Sequence, residues 1–116
     1  IQPLKQDRKD RIFQSFIFSL SQNFRTHHSV SFYAAEQCLT PRYFSTIVRE
    51  KSGRNALQWI MMFIIAEAKK LLSDPDPSIK EIAETLGFSN QSFFGRYFKQ
   101  YVGLSPMAFR SSGTEE

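Results

Sequence analysis

The sequence predicts an all-α domain of about seven helices, arranged as two helix-turn-helix subdomains joined by a long central helix. Three observations carry this expectation. Apolar residues recur at steps of three and four through most of the 116-residue chain, and no segment alternates with strand periodicity. Capping and breaking residues punctuate the chain at helix-length intervals. A pattern in the first half returns about 50 residues later in the second.

Residues 7 to 24 place Ile12, Phe13, Phe16, Ile17, Leu20 and Phe24 on one stripe, the mark of a surface helix with one buried face. Polar residues Arg25 to Ser29 read as a loop, and a short helix follows from about Phe32 to Cys38. Thr40-Pro41 supplies an N-cap and a first-turn proline, which starts a helix that reaches roughly Lys51 and stops at Gly53. Asn55 caps the central helix, Ala56 to Leu72, with Leu57, Ile60, Met61, Ile64, Ala68, Leu71 and Leu72 at helical spacing. Asp74-Pro75-Asp76-Pro77 breaks it. Ser78 and Glu81 form a capping box for a helix that ends at Gly87. Ser89 is expected to cap the next helix, to about Val102 with Gly103 as its stop, and Ser105-Pro106 opens a last short turn. The resulting division is one domain over 1–116, with subdomains 9–54 and 74–112, a linker helix 55–73 and a flexible tail 113–116.

The repeat has a chemistry. Ala34, the Cys38-Leu39 turn, Thr40, Phe44, Val48 and Gly53 are answered by Ala83, the Gly87-Phe88 turn, Ser89, Phe94, Phe98 and Gly103. Phe44 to Phe94 and Gly53 to Gly103 are 50-residue steps, whereas Ala34 to Ala83 is 49. A small Ala lets one helix lie close across the next, a tight turn follows, and a pair of large apolar residues anchors the second helix. Its other face is left free to enter a major groove. A linking helix of about 17 residues spans roughly 25 Å, long enough for a monomer to reach successive major grooves.

Composition bounds the partners. The net charge is +4, which tilts toward an anionic partner, and hydrophobic residues make up 41%, with twelve Phe. Thr40 to Arg54 carries four basic residues and one acid, and Ser89 to Arg110 three basic residues and no acid. The lone Cys38 excludes an internal disulfide and a Cys-based zinc site, and fits a reducing, cytoplasmic setting as a small buried hydrophobe. His27-His28 is poor geometry for a metal and reads as loop, so neither metal nor cofactor is expected. The longest apolar run, Trp59 to Ala66, is eight residues, too short to span a membrane, and Trp59 and Met61-Met62-Phe63 read as core packing. The first residue is Ile1 and no signal-peptide pattern follows, the expectation for a piece of a longer protein. No phosphate loop, nucleophile arrangement or paired carboxylate points to an enzyme.

Ile79 to Ser89, followed by Ser92-Phe93-Phe94-Gly95-Arg96-Tyr97-Phe98-Lys99, Gly103-Leu104-Ser105-Pro106 and Phe109-Arg110, resembles the signature of AraC/XylS-type transcription regulators. The resemblance extends upstream through Ala68 to Leu72 and Thr40 to Ser45, over roughly residues 9 to 110. It implies a DNA-binding domain that activates or represses transcription, often fused to a separate sensing or dimerising domain, with RNA polymerase as a further partner. Two positions depart from the pattern: Gln37 stands where the repeat has Leu86, and Ile64 where the family often has Arg.

Gln91, Ser92 and Arg96 are the expected base contacts of the second recognition helix, since Gln suits adenine and Arg guanine. Gly95 would admit close approach of the backbone, and Ser89 and Lys99 are expected at phosphates. In the first unit Arg42, Ser45 and Thr46 are expected at bases, and Thr40, Arg49 and Lys51 at phosphates. Two readings compete with DNA: a helical protein-protein adaptor, and an RNA binder, which is disfavoured because the aromatics fall on core stripes.

Overall fold

A computed structural model describes residues 7–113 and folds them into seven helices, with no strand among them. These are α1 (Arg8–Asn23), α2 (Val30–Glu36), α3 (Pro41–Ser52), α4 (Ala56–Leu72), α5 (Ile79–Thr85), α6 (Gln91–Val102) and α7 (Pro106–Gly113). The expected tail lies outside the described residues except for Gly113, which closes α7; that helix is eight residues, more than the single turn expected. No helix among the described residues is long and apolar enough to cross a membrane.

The chain divides into two compact units, the first up to Phe63 and the second from Ile64. The expected linker helix over 55–73 is shared between the two units. Its first half belongs to one unit, where Ala56 and Ile60 are buried, and its second half to the other, where Ile64, Ala68 and Leu72 are buried.

In the first unit Phe16 of α1 is the hub, edge-on to Tyr33 at 5.4 Å and to Phe44 at 5.1 Å between ring centroids. Asp7 caps α1 by accepting the Asp10 N–H at 2.8 Å. That bond, with the nearby Lys51 charge, holds the Asp7 carboxyl below its ordinary range. Helix α2 starts two residues before the expected Phe32, because Ser29 caps it by accepting the Phe32 N–H at 3.3 Å. The Tyr33 hydroxyl donates to the His27 carbonyl at 2.7 Å, and burial pushes this phenol up to about 12, so it stays protonated as a donor. Gln37, the polar residue at a core position of the repeat, donates its amide to the Ile12 carbonyl at 3.0 Å. A half-buried amide with a partner carries no desolvation penalty of an orphan. Trp59 is half-buried rather than central, its Nε1 donating to Ser52 Oγ at 2.8 Å and its ring meeting Phe13 edge-on. Leu57 and Met62, expected inside, are 49% and 42% exposed.

In the second unit Phe94 and Phe98 of α6 are fully buried, Phe98 lying edge-on to Phe109 of α7 at 5.5 Å. Ser78 and Glu81 make the expected capping box, with bonds of 3.0 and 2.8 Å. Arg110 has a role that spacing does not reveal. Its Nε donates to the Leu72 carbonyl at 3.2 Å, and its Nη2 to the carbonyls of Asp74 at 2.9 Å and Pro77 at 2.7 Å. One guanidinium thus satisfies an end carbonyl of α4 and clamps the Pro-rich loop after it.

Both helix-turn-helix turns are built alike. In the first, the N–H groups of Cys38 and Leu39 return to the carbonyls of Ala35 and Ala34, each at 3.0 Å. In the second, Gly87 and Phe88 return to Glu84 and Ala83 at 3.1 and 2.9 Å. The pivot is left-handed in both, with φ of 59° at Cys38 and 83° at Gly87. This is where the expectation of a buried Cys38 fails: it sits on the outside of the turn, exposed, in a conformation that L-residues adopt at a cost. Asn90, not Ser89, caps α6, its Oδ1 accepting the Phe93 N–H at 2.8 Å. Thr40 and Asn90 are then also 50 residues apart, and Ser89 is the extra residue of the second turn.

Cys38→Gly is expected to stabilise the first unit by about 0.5–1 kcal/mol, relief of the left-handed strain outweighing the added freedom of the unfolded chain; thermal denaturation reads it. Arg110→Ala is expected to destabilise the second unit by about 1.5–3 kcal/mol through loss of charge-assisted bonds, and a Tm equal to that of the wild type would refute the clamp.

Candidate nucleic-acid interface

The anchors decide which residues of α3 and α6 face outward. Phe44, Ile47 and Val48 are buried in α3, and Phe94 and Phe98 in α6, with Tyr97 half-buried beside them. Burial of Tyr97 drives its phenol well above the ordinary tyrosine value. Arg42, Tyr43, Thr46 and Arg49 are exposed on α3, and at the matching positions Ser92, Phe93, Arg96 and Lys99 are exposed on α6. Each helix starts at a side-chain cap and ends at a left-handed glycine, Gly53 or Gly103, whose N–H bonds Arg49 or Lys99 at 2.8 Å. Two rigid helices thus present equivalent faces.

In the first unit a shallow depression brings together Arg42, Ser45, Thr46 and Arg49, four residues named from sequence, and adds Asn55. What each can offer is set by its existing bonds. Thr46 Oγ1 donates to the Arg42 carbonyl at 3.0 Å, which leaves an acceptor oxygen and a methyl. Ser45 is half-buried and accepts the Ala56 N–H at 3.3 Å, so it helps cap α4 and retains its hydroxyl proton and one lone pair. Thr40 accepts the Tyr43 N–H at 3.2 Å and likewise keeps its hydroxyl proton.

Lys51, expected at a phosphate, is paired within the fold. Its amino group pairs with Asp10 at 2.8 Å and Asp7 at 3.6 Å, and these partners raise its pKa. These pairs tie the end of α3 to the start of α1. Lys9 and Glu50 make a second tie at 3.0 Å. Arg42 and Arg49 are exposed cations of the depression.

In the second unit Ser89, Gln91 and Ser92 line a depression with Lys80, Glu84 and Asn90. Among the described residues nothing bonds the Ser89 hydroxyl or the Gln91 amide, and both are exposed. Ser89, freed from capping, is well placed at the N-terminal end of α6. Arg96 and Lys99 lie further along the exposed face, and the Arg96 guanidinium carbon lies 5.0 Å from the centre of the Phe93 ring. Sequence reasoning missed Lys80, Asn55 and the exposed rings. Phe93, Tyr43 and Tyr101 are 52%, 44% and 43% exposed, so these three rings do not lie on the core stripes expected of the aromatics. Their recurrence at a 50-residue step, Tyr43 to Phe93, was the available signal.

Gly95 has open space around the position of an added Cβ, and its φ is not left-handed. Nothing within the fold requires a glycine there, although glycine inside a helix costs roughly 0.5–1 kcal/mol relative to alanine.

Two capped helices, each held across a preceding short helix by a tight turn and showing a polar, basic face, define a DNA-binding domain of the double helix-turn-helix class. The chain belongs to the AraC/XylS-type helix-turn-helix family; the family model described as "Helix-turn-helix domain" matches residues 33–112. It is 34% identical over 86 residues to the arabinose operon regulatory protein of Salmonella typhimurium, covering 74% of this chain and 31% of that protein. To the protein of the same name from Escherichia coli it is 37% identical over 83 residues, covering 72% and 28%. The chain thus spans about a third or less of the length of these relatives. Among solved structures it resembles the DNA-binding domain of AdpA in complex with a target DNA, with a TM-score of 0.75 and 25% identity over 86% of this chain and 90% of that one. The C-terminal domain of AraT from Geobacillus stearothermophilus shares the fold with a TM-score of 0.82 at 23% identity, covering 91% and 88%. This is a family of transcription-regulator DNA-binding domains and not of enzymes.

Gly95→Ala is expected to raise the stability of the second unit by roughly 0.5–1 kcal/mol and at the same time to weaken DNA binding. A variant that is more stable and binds as tightly as the wild type would remove the close-approach role of Gly95.

Proposed function

We propose that this domain binds double-stranded DNA sequence-specifically through the exposed faces of α3 and α6, one major groove to each, with two half-sites in successive grooves. The carrying observation is the duplicated turn that gives both helices the same buried anchors and the same exposed positions. In the second unit Arg96 reads guanine and Gln91 adenine, Ser92 adds a single bond, and Ser89 and Lys99 hold phosphates. In the first, Arg42 reads guanine, Thr46 and Ser45 add a weaker contribution, and Thr40 and Arg49 hold phosphates. The half-sites differ in sequence, because matched positions carry Arg42 against Ser92 and Thr46 against Arg96.

The electrostatic contribution is uneven. Residues 1–63 hold nine basic and four acidic residues, and residues 64–116 six basic and seven acidic. Sequence-independent attraction to phosphate therefore belongs mainly to the first unit, and the second contributes selectivity. The likeness to AdpA's domain, solved on a target DNA, supports this reading, and the relatives named as operon regulators support transcription regulation. RNA polymerase as a second partner, a fused sensing or dimerising domain in the intact regulator, and action in the cytoplasm complete the proposal. The helical adaptor alternative is not favoured by the family.

Selection from randomised duplexes is the direct test: a motif with two half-sites is expected, and enrichment of no sequence would refute the reading. Arg96→Ala is expected to relax preference at one base position and to cost about 1–3 kcal/mol there. Lys99→Ala is expected to weaken all sites alike and to lower the salt slope by about one; a loss confined to one base would contradict the phosphate assignment.

A further inference from the structure

Phe93 is an apolar ring that packing does not explain. Phe94 and Phe98 fill the buried side of α6, and Phe93 stands 52% exposed on the flank of that side, one turn before the exposed Arg96. Three residues along the helix, Arg96 places its guanidinium carbon 5.0 Å from the centre of that ring. A cation is attracted to the face of an aromatic ring, and a long side chain held in this way loses less freedom when it later engages a base. The ring remains half uncovered even with Arg96 against it.

We propose that Phe93 is a specificity-determining residue of the second unit: its ring positions Arg96 for guanine and packs against the 5-methyl group of a thymine in a neighbouring base pair. The inference rests on α6 being the recognition helix. Thymine is singled out because, of the four standard bases, it alone presents a methyl group in the major groove. An exposed ring set among hydrogen-bonding side chains finds its apolar complement there. Tyr43 occupies the matching position of α3 and is 44% exposed, but the residue three further on is Thr46, whose hydroxyl bonds the Arg42 carbonyl. The ring-plus-guanidinium pair is therefore a property of α6 and not of the repeated scaffold.

The test uses the selected duplex with each thymine of the second half-site replaced in turn by deoxyuridine, which removes only the methyl group. Binding is measured for the wild type, Phe93→Ala and Phe93→Leu, with thermal denaturation alongside. One replacement is expected to weaken the wild type about fourfold, the effect of losing one buried methyl-sized group, and to have no effect in Phe93→Ala. Preference for guanine at the Arg96 position is expected to fall about two- to fivefold in both variants, because neither retains the ring face. Phe93→Leu keeps an apolar surface and so retains part of the methyl dependence. All three proteins are expected to melt alike, since the ring lies outside the core. Methyl dependence that survives in Phe93→Ala, or guanine preference unchanged in that variant, overturns the inference. A wild-type selection that returns no motif overturns instead the reading of α6 as a DNA reader, and that failure is visible before any variant is made.

Discussion

One left-handed residue in each unit lets the chain leave a short helix and start the next across it. Cys38 and Gly87 occupy this pivot, and the N–H groups at and after it close back on the last turn of the preceding helix. Without the positive φ the N–H that follows the pivot, of Leu39 or Phe88, would miss its carbonyl, and the buried Ala34 and Ala83 would not bring the two helices close. The cap then sets the phase of the recognition helix. From Thr40 and Asn90 onward the two units keep a constant 50-residue offset, although the second turn contains one more residue, Ser89. The turn absorbs the insertion while the cap and the aromatic anchors hold the exposed face in place.

That arrangement separates scaffold from chemistry. Burial along α3 and α6 agrees at the anchors and on the outer face, with Phe44 against Phe94, Val48 against Phe98 and Thr46 against Arg96 in the same environments. The outer side chains themselves are free to differ, because no packing depends on them. A duplicated framework thus carries two unlike outer faces. Gly95 fits the same logic, being a residue that the packing of the fold does not need.

Charge serves two purposes in the first unit. Lys9 and Lys51 join α1 to the end of α3 through Glu50, Asp10 and Asp7, whereas Arg42, Arg49 and Arg54 stay exposed. Arginine suits the second role because its planar fork can meet a base edge or a phosphate through two bonds. In the second unit Arg110 reverses the division: the guanidinium holds backbone carbonyls of the loop after α4, and Arg96 and Lys99 are left for the outer face.

Helix positions, the Ser78 and Thr40 caps, the glycine stops and the repeat were legible in the sequence, because each depends on residues within a turn or two of one another. The outward positions of Arg42, Thr46, Gln91, Ser92, Arg96 and Lys99 followed from the same periodicity. Other features needed the tertiary structure. Ser89 and Asn90 are both good caps, and burial of Phe94 and Phe98 selected the second. Lys51 looks like a free cation until α1, some forty residues away in sequence, brings Asp10 to it. Cys38 looks like a small core residue until the turn places it on the outside. Phe93 and Tyr43 read as part of an apolar stripe until the core is seen to be complete without them. Local sequence determines the helices and their phase, but which side chains find partners depends on segments that only the folded chain brings together.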